Sequence, residues 1–442
     1  MKLTIKKMGI NGEGIAYINK KPIFINGALP NETVEAEITE DKGSYARAEL
    51  TDIIRKSSER RHAGCRVQKK CGGCTLMTLD YEAQLKYKKE LLEEALYKYG
   101  NVKRSFVRDI HPSERINGYR TQCKLPLKET SQQLYTGMYM PGSNHFCTIE
   151  DCPVHDRDLE TARKDILNVL NTWNTEHPKE RLGEYNRRKE KGIRYLVIRT
   201  LNNSTQCTLV TGRGKIPDEL IAKLMEISSM TSLYHSVNTD MHTQDIFGTV
   251  PKLLAGEEHI TFTMHDLTLQ LSADSFFQLN VSQAEKMYST AVSKIDPCGT
   301  LVEAYCGVGA MSLMAHEKAE KVYGIEASKP AIRNAKANAV RNNIDNCEFL
   351  AMDAADGLLY AAARSTIDTL LCDPPRSGMD EKMLEAVMQV NPKKIVYVSC
   401  NPATLAKNLK VLKQKYHVVT VIPFDLFPQT PLVESVTVLE RG

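Results

Sequence analysis

The C-terminal third of this chain alternates between strand-like and helix-like segments, and this alternation constrains the fold more than any other feature. From about residue 298 onward, six apolar runs have the length of strands: TLVEAY, KVYGIE, CEFLAMD, IDTLLCD, KKIVYVSC and HVVTVIP. Helical patterns such as SKPAIRNAKANAVRN and DEKMLEAVMQ lie between them. The alternation predicts a doubly wound α/β domain with a parallel sheet over residues 291–442. Such sheets bind ligands beyond the carboxyl ends of their strands.

The preceding residues predict two further domains, since 442 residues at ~150 residues per domain suggest about three. Residues 1–56 contain five strand-like runs separated by turn sequences: LTIKKM, GIAYI, PIFI, TVEAEI and ARAELTDII. Five short strands suit a small β-barrel of the OB type, which often binds oligonucleotides. Residues 57–290 mix strands with helices, including a helix over Tyr81–Tyr99, and predict an α+β domain.

Composition indicates an ordinary globular protein without a membrane segment. Hydrophobic residues make up 42% of the chain, and no apolar run reaches the ~18 residues that span a membrane. The opening MKLTIKKMGI is too short and too charged for a signal peptide. We therefore expect a cytoplasmic location, no membrane association and no obligate protein partner. Twelve cysteines in such a chain favour thiols, metal ligands or catalysis over disulfides.

The net charge of +4 is unevenly distributed. Between residues 54 and 70 a single acid, Glu59, is surrounded by basic residues: Arg55, Lys56, Arg60, Arg61, Arg66, Lys69 and Lys70. Such a run is most often a solvated face. In a protein that handles nucleic acid, the same run becomes a phosphate-contacting surface.

A glycine-containing loop follows the first strand of the C-terminal region. The sequence there is CGVG, and Gly307 and Gly309 let the backbone approach a ligand closely. A dinucleotide-binding loop would have a third glycine where Ser312 stands. Glu326 ends the second strand and Asp353 ends the third, and the glutamate is placed to bind ribose hydroxyls. These features favour S-adenosylmethionine, which has a ribose and an adenine but no phosphate.

Two strand ends further along carry the residues for chemistry. The fourth strand ends in DPPRSG, where Arg376 stands in the place of the base-stacking aromatic of amino-methylating enzymes. Enzymes that methylate cytosine carry a cysteine just after such a proline, whereas Cys372 precedes Asp373 and lies on the strand. The nucleophile candidate is therefore Cys400, which ends the fifth strand. The alternative for Cys400 is a buried core cysteine, because cysteine is among the most frequently buried residues.

Four segments together resemble the motifs of the RNA 5-methyluridine methyltransferases: DPPRSG, VSCNPATLAKN, DLFPQTPLVESVTVL and SFFQLN. The resemblance extends over nearly the whole chain. Its N-terminal part, GEGIAYINKKPIFINGALPNETVEAEI, resembles the TRAM domain, an RNA-binding barrel appended to RNA-modifying enzymes. The resemblance implies an enzyme that transfers a methyl group from S-adenosylmethionine to carbon 5 of a uridine in RNA.

The resemblance also implies individual roles. Cys400 matches the nucleophile and Glu434 the base. Beside Gly307 and Gly309, the positions that match cofactor-binding residues are Gln278, Tyr305, Glu326, Asp353 and Asp373. The chemistry needs a thiol because carbon 5 of uracil is a weak nucleophile until a thiolate adds at carbon 6. A base must then remove the proton from carbon 5 so that the cysteine can leave.

Three cysteines have the spacing of metal ligands. Cys65, Cys71 and Cys74 form C-x5-C-x2-C, which suits an iron–sulfur cluster or zinc, with free thiols as a further alternative. The resemblance supplies a fourth ligand, Cys152 in EDCPVH, and favours a [4Fe–4S] cluster over zinc. We assign structural roles to the remaining cysteines outside the two catalytic strands: Cys123, Cys147, Cys207, Cys298, Cys306 and Cys347.

The resemblance also bears on the substrate. It implies 23S ribosomal RNA, because family members with both a barrel and a cluster mostly act on the large subunit. A transfer-RNA uridine methyltransferase stays open, as does an RNA-binding or RNA-folding protein with an inactive methylase core. Methylation of cytosine or of an amino group is disfavoured, since the Pro-Cys and Pro-Pro-aromatic sequences are missing.

Overall fold

The computed structural model describes residues 1–243 and 245–442. They form two compact units: the first unit comprises residues 1–116 and 371–442, and the second unit comprises residues 117–370. These units group the chain differently from the ranges 1–56, 57–290 and 291–442, which stay a prediction. Among the described residues, no helix has the length and apolar character needed to cross a membrane.

The N-terminal strands of the first unit form one six-stranded sheet. They are β1 (Lys2–Thr4), β2 (Lys7–Met8), β3 (Gly14–Ile18), β4 (Lys21–Ile25), β5 (Thr33–Asp41) and β6 (Ala46–Arg55). Their order is β1-β5-β6-β4-β3-β2. All five predicted runs lie in this sheet. LTIKKM supplies two strands rather than one, because the backbone of Ile5 bonds instead to Asn31 and Glu32.

Two helices follow in the first unit, α1 (Gln68–Cys71) and α2 (Tyr81–Gly100). The helix predicted over Tyr81–Tyr99 is thus confirmed to within one residue. Asp80 caps α2 by accepting a hydrogen bond from the amide of Ala83. Asn101 ends the helix in the left-handed conformation. The helix packs against a second long helix of this unit, at residues 402–412.

The second unit contains a seven-stranded sheet of mixed direction. Its strands are β7 (Gln122–Thr130), β8 (Gln133–Tyr139), β9 (Phe146–Thr148), β10 (Ile193–Leu201), β11 (Ser204–Thr211), β12 (Met230–Val237) and β13 (Lys252–Gly256). The order is β13-β12-β11-β10-β7-β8-β9, and only β11 and β12 run parallel. Helices α3 (Arg157–Glu176) and α4 (Asp218–Met225) bury apolar residues against the sheet. The predicted α+β character is confirmed.

A hairpin and three parallel strands complete the second unit. The hairpin and the helix after it are β14 (Ile260–Met264), β15 (Leu267–Leu271) and α5 (Val281–Ser293). The parallel strands are β16 (Cys298–Ala304), β17 (Ala319–Glu326) and β18 (Cys347–Ala351). They pair in the order β18-β17-β16. The helices that alternate with them are α6 (Ala310–Met314), α7 (Lys329–Arg341) and α8 (Ala354–Ala362).

The C-terminal residues of the first unit continue the alternation and then break it. The elements from the unit boundary onward are β19 (Thr369–Cys372), α9 (Glu381–Val390), β20 (Lys394–Ser399), α10 (Pro402–Leu412), β21 (Tyr416–Phe424) and β22 (Glu434–Arg441). β22 lies between β20 and β21 and is antiparallel to both. The sequence pattern did not predict this strand. A parallel strand needs a crossover, often a helix, whereas residues 425–433 reverse the chain directly.

Candidate active site

Cys400 lies at the junction of β20 and α10. The strand ends at Ser399 and the helix begins at Pro402. Asn401 caps the helix, because its side-chain oxygen accepts a hydrogen bond from the amide of Ala403 at 3.0 Å. Proline is favoured at the first helical position. The sequence SCNP therefore builds a strand-to-helix turn that presents the thiol beside the positive end of a helix.

Glu434 lies directly across from Cys400. It is the first residue of β22, and the antiparallel register pairs Ser399 with Ser435. The next positions along the two chains are Cys400 and Glu434, so the thiol and the carboxyl lie side by side at one end of the pair of strands. Glu434 is only 3% exposed. The structure thus brings the two predicted catalytic residues together.

The DPPRSG loop is bound to the turn that carries the thiol. The carbonyl of Arg376 accepts a hydrogen bond from Asn401 Nδ2 at 3.0 Å. Further along α10, Asn408 Oδ1 accepts a hydrogen bond from the amide of Met379 at 2.9 Å. A Cβ at Gly378 would lie 2.6 Å from that oxygen, so this close approach requires glycine. The end of the fourth strand, with the sequence DPPRSG, and the end of the fifth strand, with the sequence SCNP, therefore lie in contact.

Burial is the main cause of the raised pKa values of three groups at this site, which are Glu434, Asp373 and Cys400. Burial, and to a lesser degree the charge of Asp373, raises the pKa of Glu434 to about 8. Asp373 is partly exposed as a residue, but burial of its carboxyl raises the pKa to about 7. Burial, with smaller contributions from both carboxylates, raises the pKa of the Cys400 thiol to about 12. The thiol is therefore protonated in the free protein.

Two residues of this site had no role in the sequence analysis. Arg376 is exposed, and its charge opposes the upward pKa shifts of both Cys400 and Glu434. Asn408 is 5% exposed and also accepts a hydrogen bond from the Tyr397 hydroxyl at 2.8 Å. The sequence positions of both residues could have indicated that they matter. The arginine follows Pro-Pro at a strand end, and the asparagine is a polar residue on the buried face of a helix.

The strand cysteines other than Cys400 are embedded in the fold. Cys372 is fully buried, and its Sγ donates to the carbonyl of Val396 at 3.8 Å. Cys123, Cys207 and Cys306 are buried too, and burial raises the pKa of each thiol. Burial and a raised pKa disfavour the reactive thiolate, and the structural roles of these cysteines stay a prediction.

The CGVG loop of the second unit has a backbone suited to a closely bound ligand. Tyr305, Gly307 and Gly309 are left-handed, with φ of 65°, 54° and 82°. Tyr305 is a non-glycine residue in this region, which marks a strained position of the kind found at binding sites. A Cβ at Gly309 would lie 2.8 Å from the ring of Phe349, so packing requires glycine there as well.

The two predicted strand-end acids are ordered by backbone amides. The Glu326 carboxylate accepts hydrogen bonds from the amides of Gly307 at 3.3 Å and Ser328 at 2.8 Å. It is partly exposed and keeps lone pairs for further donors, such as ribose hydroxyls. Asp353 caps α8 by accepting a hydrogen bond from the amide of Ala355 at 3.2 Å. Glu326 thus links the second strand to the glycine loop.

Ser312 faces the core rather than a ligand. It is fully buried, and its hydroxyl donates to the carboxylate of Glu303 on β16. Gly324 on β17 is required mainly by Phe349, since a Cβ there would lie 2.4 Å from the Phe349 ring and 3.1 Å from the Ser312 hydroxyl. The position of the third glycine of a dinucleotide-binding loop is thus taken by a serine whose hydroxyl is bound inside the core.

The other two predicted cofactor-binding residues lie apart from this loop in the sequence. Gln278 is 8% exposed, in the segment between β15 and α5. Asp373 belongs to the first unit. The cofactor-binding roles of all seven residues stay a prediction, which the left-handed loop and the ordered Glu326 carboxylate support most directly.

Three of the four predicted metal ligands lie on one segment of the first unit. Cys65 precedes α1, Cys71 ends it and Cys74 follows it, and all three are partly buried. Gln68 Nε2 donates to the carbonyl of Cys74 at 3.0 Å. Cys152 is a partly buried residue of the second unit. Across residues 1–243 and 245–442, no group of three or more His, Cys, Asp or Glu side chains is placed to hold a metal ion.

The basic run of residues 55–70 divides into structural and exposed residues. Arg60 is structural, since its guanidinium lies 2.5 and 2.8 Å from the carboxylate of the fully buried Glu32. Arg61 pairs with Asp80 at 2.7 Å. The other cations are exposed and have no ion-pair partner in the described part of the chain: Arg55, Lys56, Arg66, Lys69 and Lys70.

A second basic surface was not noticed in the sequence. It lies at the turn of residues 186–191, where exposed cations are not ion-paired within the described residues: Arg187, Arg188, Lys189 and Lys191. The side chain of Asn186 orders the turn by accepting hydrogen bonds from the amides of Arg188 and Lys189. The acid of this turn, Glu190, is bound by Arg213 at 2.6 Å. Both surfaces are therefore free to contact a polyanion.

Comparison with known families gives two matches. Residues 80–442 match the family described as tRNA (Uracil-5-)-methyltransferase. Residues 1–51 match the TRAM domain. The first match covers well over half of the chain, and both agree with the resemblance found in the motifs.

Known proteins match over nearly the full length of the chain. A Bacillus anthracis protein named as an RNA methyltransferase is 35% identical over 449 residues, covering 99% of this chain and 96% of that protein. A Listeria innocua RNA methyltransferase is 34% identical over 447 residues, covering 99% and 97%. The solved Pyrococcus abyssi tRNA (uracil-54, C5)-methyltransferase in complex with S-adenosyl-L-homocysteine matches with a TM-score of 0.78 at 25% identity, covering 99% of this chain and 100% of that one. These matches confirm the predicted methyltransferase fold.

Proposed function

The chain belongs to the tRNA (uracil-5-)-methyltransferase family of S-adenosylmethionine-dependent RNA methyltransferases, and we propose that it methylates carbon 5 of a uridine in 23S ribosomal RNA through a covalent adduct on Cys400. The observation that carries the adduct is the register that sets Cys400 opposite Glu434. The two groups act on neighbouring carbons of one ring, so they have to approach it from adjacent positions. Adjacent strand ends provide that arrangement.

In the first step the Cys400 thiol gives its proton to solvent water, and its sulfur bonds to carbon 6 of uracil. The electrons of the carbon 5–carbon 6 double bond move to form an enolate, and carbon 5 takes the methyl group of S-adenosylmethionine, which leaves as S-adenosylhomocysteine. Because burial raises the pKa of the thiol to about 12, its ionisation has to accompany substrate binding. The N-terminus of α10 and the charge of Arg376 favour the thiolate.

Glu434 completes the reaction as the base. It takes the proton from carbon 5, the electrons restore the double bond, and the bond between sulfur and carbon 6 breaks. A pKa of about 8 leaves a minor fraction of Glu434 ionised near neutral pH, and this ionised form is the one that accepts the proton and later returns it to water. Asp373 lies close enough for its charge to raise the pKa values of Cys400 and Glu434.

S-adenosylmethionine is proposed to bind at the CGVG loop. Gly307 and Gly309 let the ligand approach the backbone, and the partly exposed Glu326 carboxylate is available to the ribose hydroxyls. Gln278, Tyr305, Asp353 and Asp373 complete the predicted set. Ser312 stands where a dinucleotide-binding loop has its third glycine, and its hydroxyl is bound to the buried Glu303. This supports S-adenosylmethionine over a dinucleotide as the ligand.

The choice of 23S ribosomal RNA rests on analogy with family members that carry both a barrel and a cysteine cluster. The exposed cations of residues 55–70 and 187–191 support an RNA substrate in general. Transfer RNA is the second candidate, favoured by the name of the matching family and by the substrate named for the Pyrococcus abyssi structure.

A methyl-transfer assay separates these candidates. Purified protein is incubated with labelled S-adenosylmethionine and, in parallel, with 23S ribosomal RNA or bulk transfer RNA, and the digested nucleosides are analysed. We expect labelled 5-methyluridine from the ribosomal RNA. Label in transfer RNA alone would overturn the ribosomal assignment. Absence of label from both would favour an RNA-binding protein with an inactive methylase core.

We further propose that Cys65, Cys71, Cys74 and Cys152 bind a [4Fe–4S] cluster with a structural role, with zinc as the alternative. Four thiolates are the donor set of either group, and the support is the family resemblance together with the placement of three cysteines around α1. Brown, anaerobically purified protein with iron and sulfide in stoichiometric amounts would support the cluster, and colourless protein with one zinc would refute it.

A further inference from the structure

The loop that leads to Glu434 is bound to helix α2 by buried polar side chains. This loop, residues 425–433, connects β21 to β22, and we call it the base loop. Its two ends are joined by the pairing of Phe424 with Glu434. Helix α2 contacts it through Lys88, which is 0% exposed, and Gln84, which is 1% exposed. Neither residue takes part in the chemistry described above.

Lys88 binds the beginning of the base loop. Its Nζ lies 2.5 Å from Asp425 Oδ1 and donates to the carbonyl of Phe427 at 3.0 Å. Both charged side chains are completely buried. A well-packed apolar pair would often serve stability as well as a buried ion pair does. The ion pair instead fixes the conformation of the base loop, because one ammonium group binds both a carboxylate and a backbone carbonyl of that loop.

Gln84 binds the middle of the base loop. Its Oε1 accepts a hydrogen bond from the amide of Gln429 at 2.9 Å, and its Nε2 donates to Gln429 Oε1 at 3.0 Å. The same Nε2 lies 3.1 Å from the carbonyl of Leu76, whose amide donates to the carbonyl of Gln429 at 2.9 Å. Gln84 and the Leu76 backbone together therefore bind both the backbone and the side chain of Gln429.

The backbone of Gln429 shows what these contacts accomplish. Its φ is +70°, in the left-handed region that residues other than glycine seldom adopt. A side chain stays in such a conformation only where its surroundings determine it. The contacts from Gln84 and Leu76 supply that constraint, and they turn the chain shortly before Glu434.

We propose that Gln84 and Lys88 are positioning residues for the base. They hold the base loop in the shape that sets Glu434 opposite Cys400. The inference rests on the proposed function, because it assumes that Glu434 removes the proton from carbon 5. It predicts a selective defect: the steps that need Cys400 continue, whereas proton removal slows and the methylated protein–RNA adduct accumulates.

The test uses Gln84→Met in the full-length protein, which removes both polar atoms and keeps a side chain of similar length. Three quantities are measured with the RNA that the wild-type protein methylates: methyl transfer in a single turnover, the steady-state rate, and the fraction of protein in a denaturation-resistant RNA complex. We expect single-turnover transfer within about 2-fold of wild type, a steady-state rate lower by about 10-fold, and an enriched covalent complex.

Tyr87→Phe is the matched control. Tyr87 is a buried residue on the same helix, and its hydroxyl bonds to Glu59 at 2.8 Å rather than to the base loop. This variant should partition between adduct and product as the wild type does. Gln429→Gly is a second test, because glycine adopts the left-handed backbone without strain and removes the side-chain hydrogen bonds with Gln84 and with the carbonyl of Ile116. It should also accumulate adduct, and it decides the question if Gln84→Met does not fold.

Two results would overturn the inference. One is an equal loss of methyl transfer and turnover in Gln84→Met, which is the signature of general destabilisation. The other is wild-type partitioning in both Gln84→Met and Gln429→Gly. A different result would overturn the proposed function instead: if Glu434→Gln turned over normally and formed no adduct, the base would be another group, and the positioning of Glu434 would have no consequence for the rate.

Discussion

Replacing Glu434 by glutamine should stabilise the folded protein at neutral and alkaline pH while it stops turnover. The carboxyl is 3% exposed, and burial, together with the charge of Asp373, raises its pKa from 4.5 to about 8. Between these two pH values the unfolded chain carries an ionised carboxylate, while the folded protein keeps the proton. The folded state therefore binds more protons, and a rise in pH through this window favours unfolding.

The size of the effect follows from the width of the window. Each pH unit within it lowers the free energy of unfolding by about 1.4 kcal/mol, so the loss reaches about 5 kcal/mol at pH 8 and stays constant above it. Glutamine does not ionise and lacks this contribution. The stability difference between Glu434→Gln and wild type should therefore grow from near zero at pH 4.5 to about 5 kcal/mol at pH 8.

Urea unfolding at unit steps of pH between about 5 and 9 measures this difference. Glu440→Gln is the matched control, because Glu440 lies on the same strand with 43% of its side chain exposed. That variant should keep the pH dependence of the wild type. Parallel pH profiles for Glu434→Gln and wild type would refute the reasoning, since they would show that the folded protein does not hold the Glu434 carboxyl protonated.

Gly309→Ala should weaken S-adenosylmethionine binding in calorimetry, because it forces a left-handed φ of 82° and places a Cβ 2.8 Å from the Phe349 ring; unchanged affinity would contradict the assignment of this loop. Arg60→Met should lower the free energy of unfolding by about 3 kcal/mol, since it leaves the buried Glu32 carboxylate unpaired, whereas Arg61→Met, at an exposed pair, should cost less than about 1 kcal/mol. Deleting residues 1–56 should weaken RNA binding and flatten its salt dependence without changing S-adenosylmethionine affinity; undiminished RNA affinity would refute the role of the barrel.

Periodic patterns in the sequence predicted the elements but not the reversal at the end of the sheet. The runs GIAYI and KKIVYV and the helix over Tyr81–Tyr99 all occur within a residue or two of their predicted places. The segment ESVTVLER carries β-branched residues typical of a strand, yet β22 was missed. Its direction depends on the loop before it, and no local pattern reports whether a loop crosses over a sheet or turns back.

The contacts that organise the candidate site are non-local, which is why sequence reasoning could not find them. Gln84 and Gln429 are 345 residues apart in the chain and bond to each other only in the folded protein. The pKa of Glu434 is likewise a property of burial, which its sequence neighbours do not determine. The roles of Cys400 and Glu434 came from the resemblance of whole motifs, and what the fold adds is the register that sets them side by side.

The covalent mechanism is tested most directly by denaturing electrophoresis and mass spectrometry of Cys400→Ala and Glu434→Gln after incubation with S-adenosylmethionine and substrate RNA. Removing the nucleophile blocks the reaction before an adduct forms, whereas removing the base blocks it after methyl transfer. We expect Cys400→Ala to bind RNA and form no covalent complex. We expect Glu434→Gln to accumulate a complex whose mass is that of protein, RNA and one methyl group. Methylation of RNA by Cys400→Ala would contradict the account.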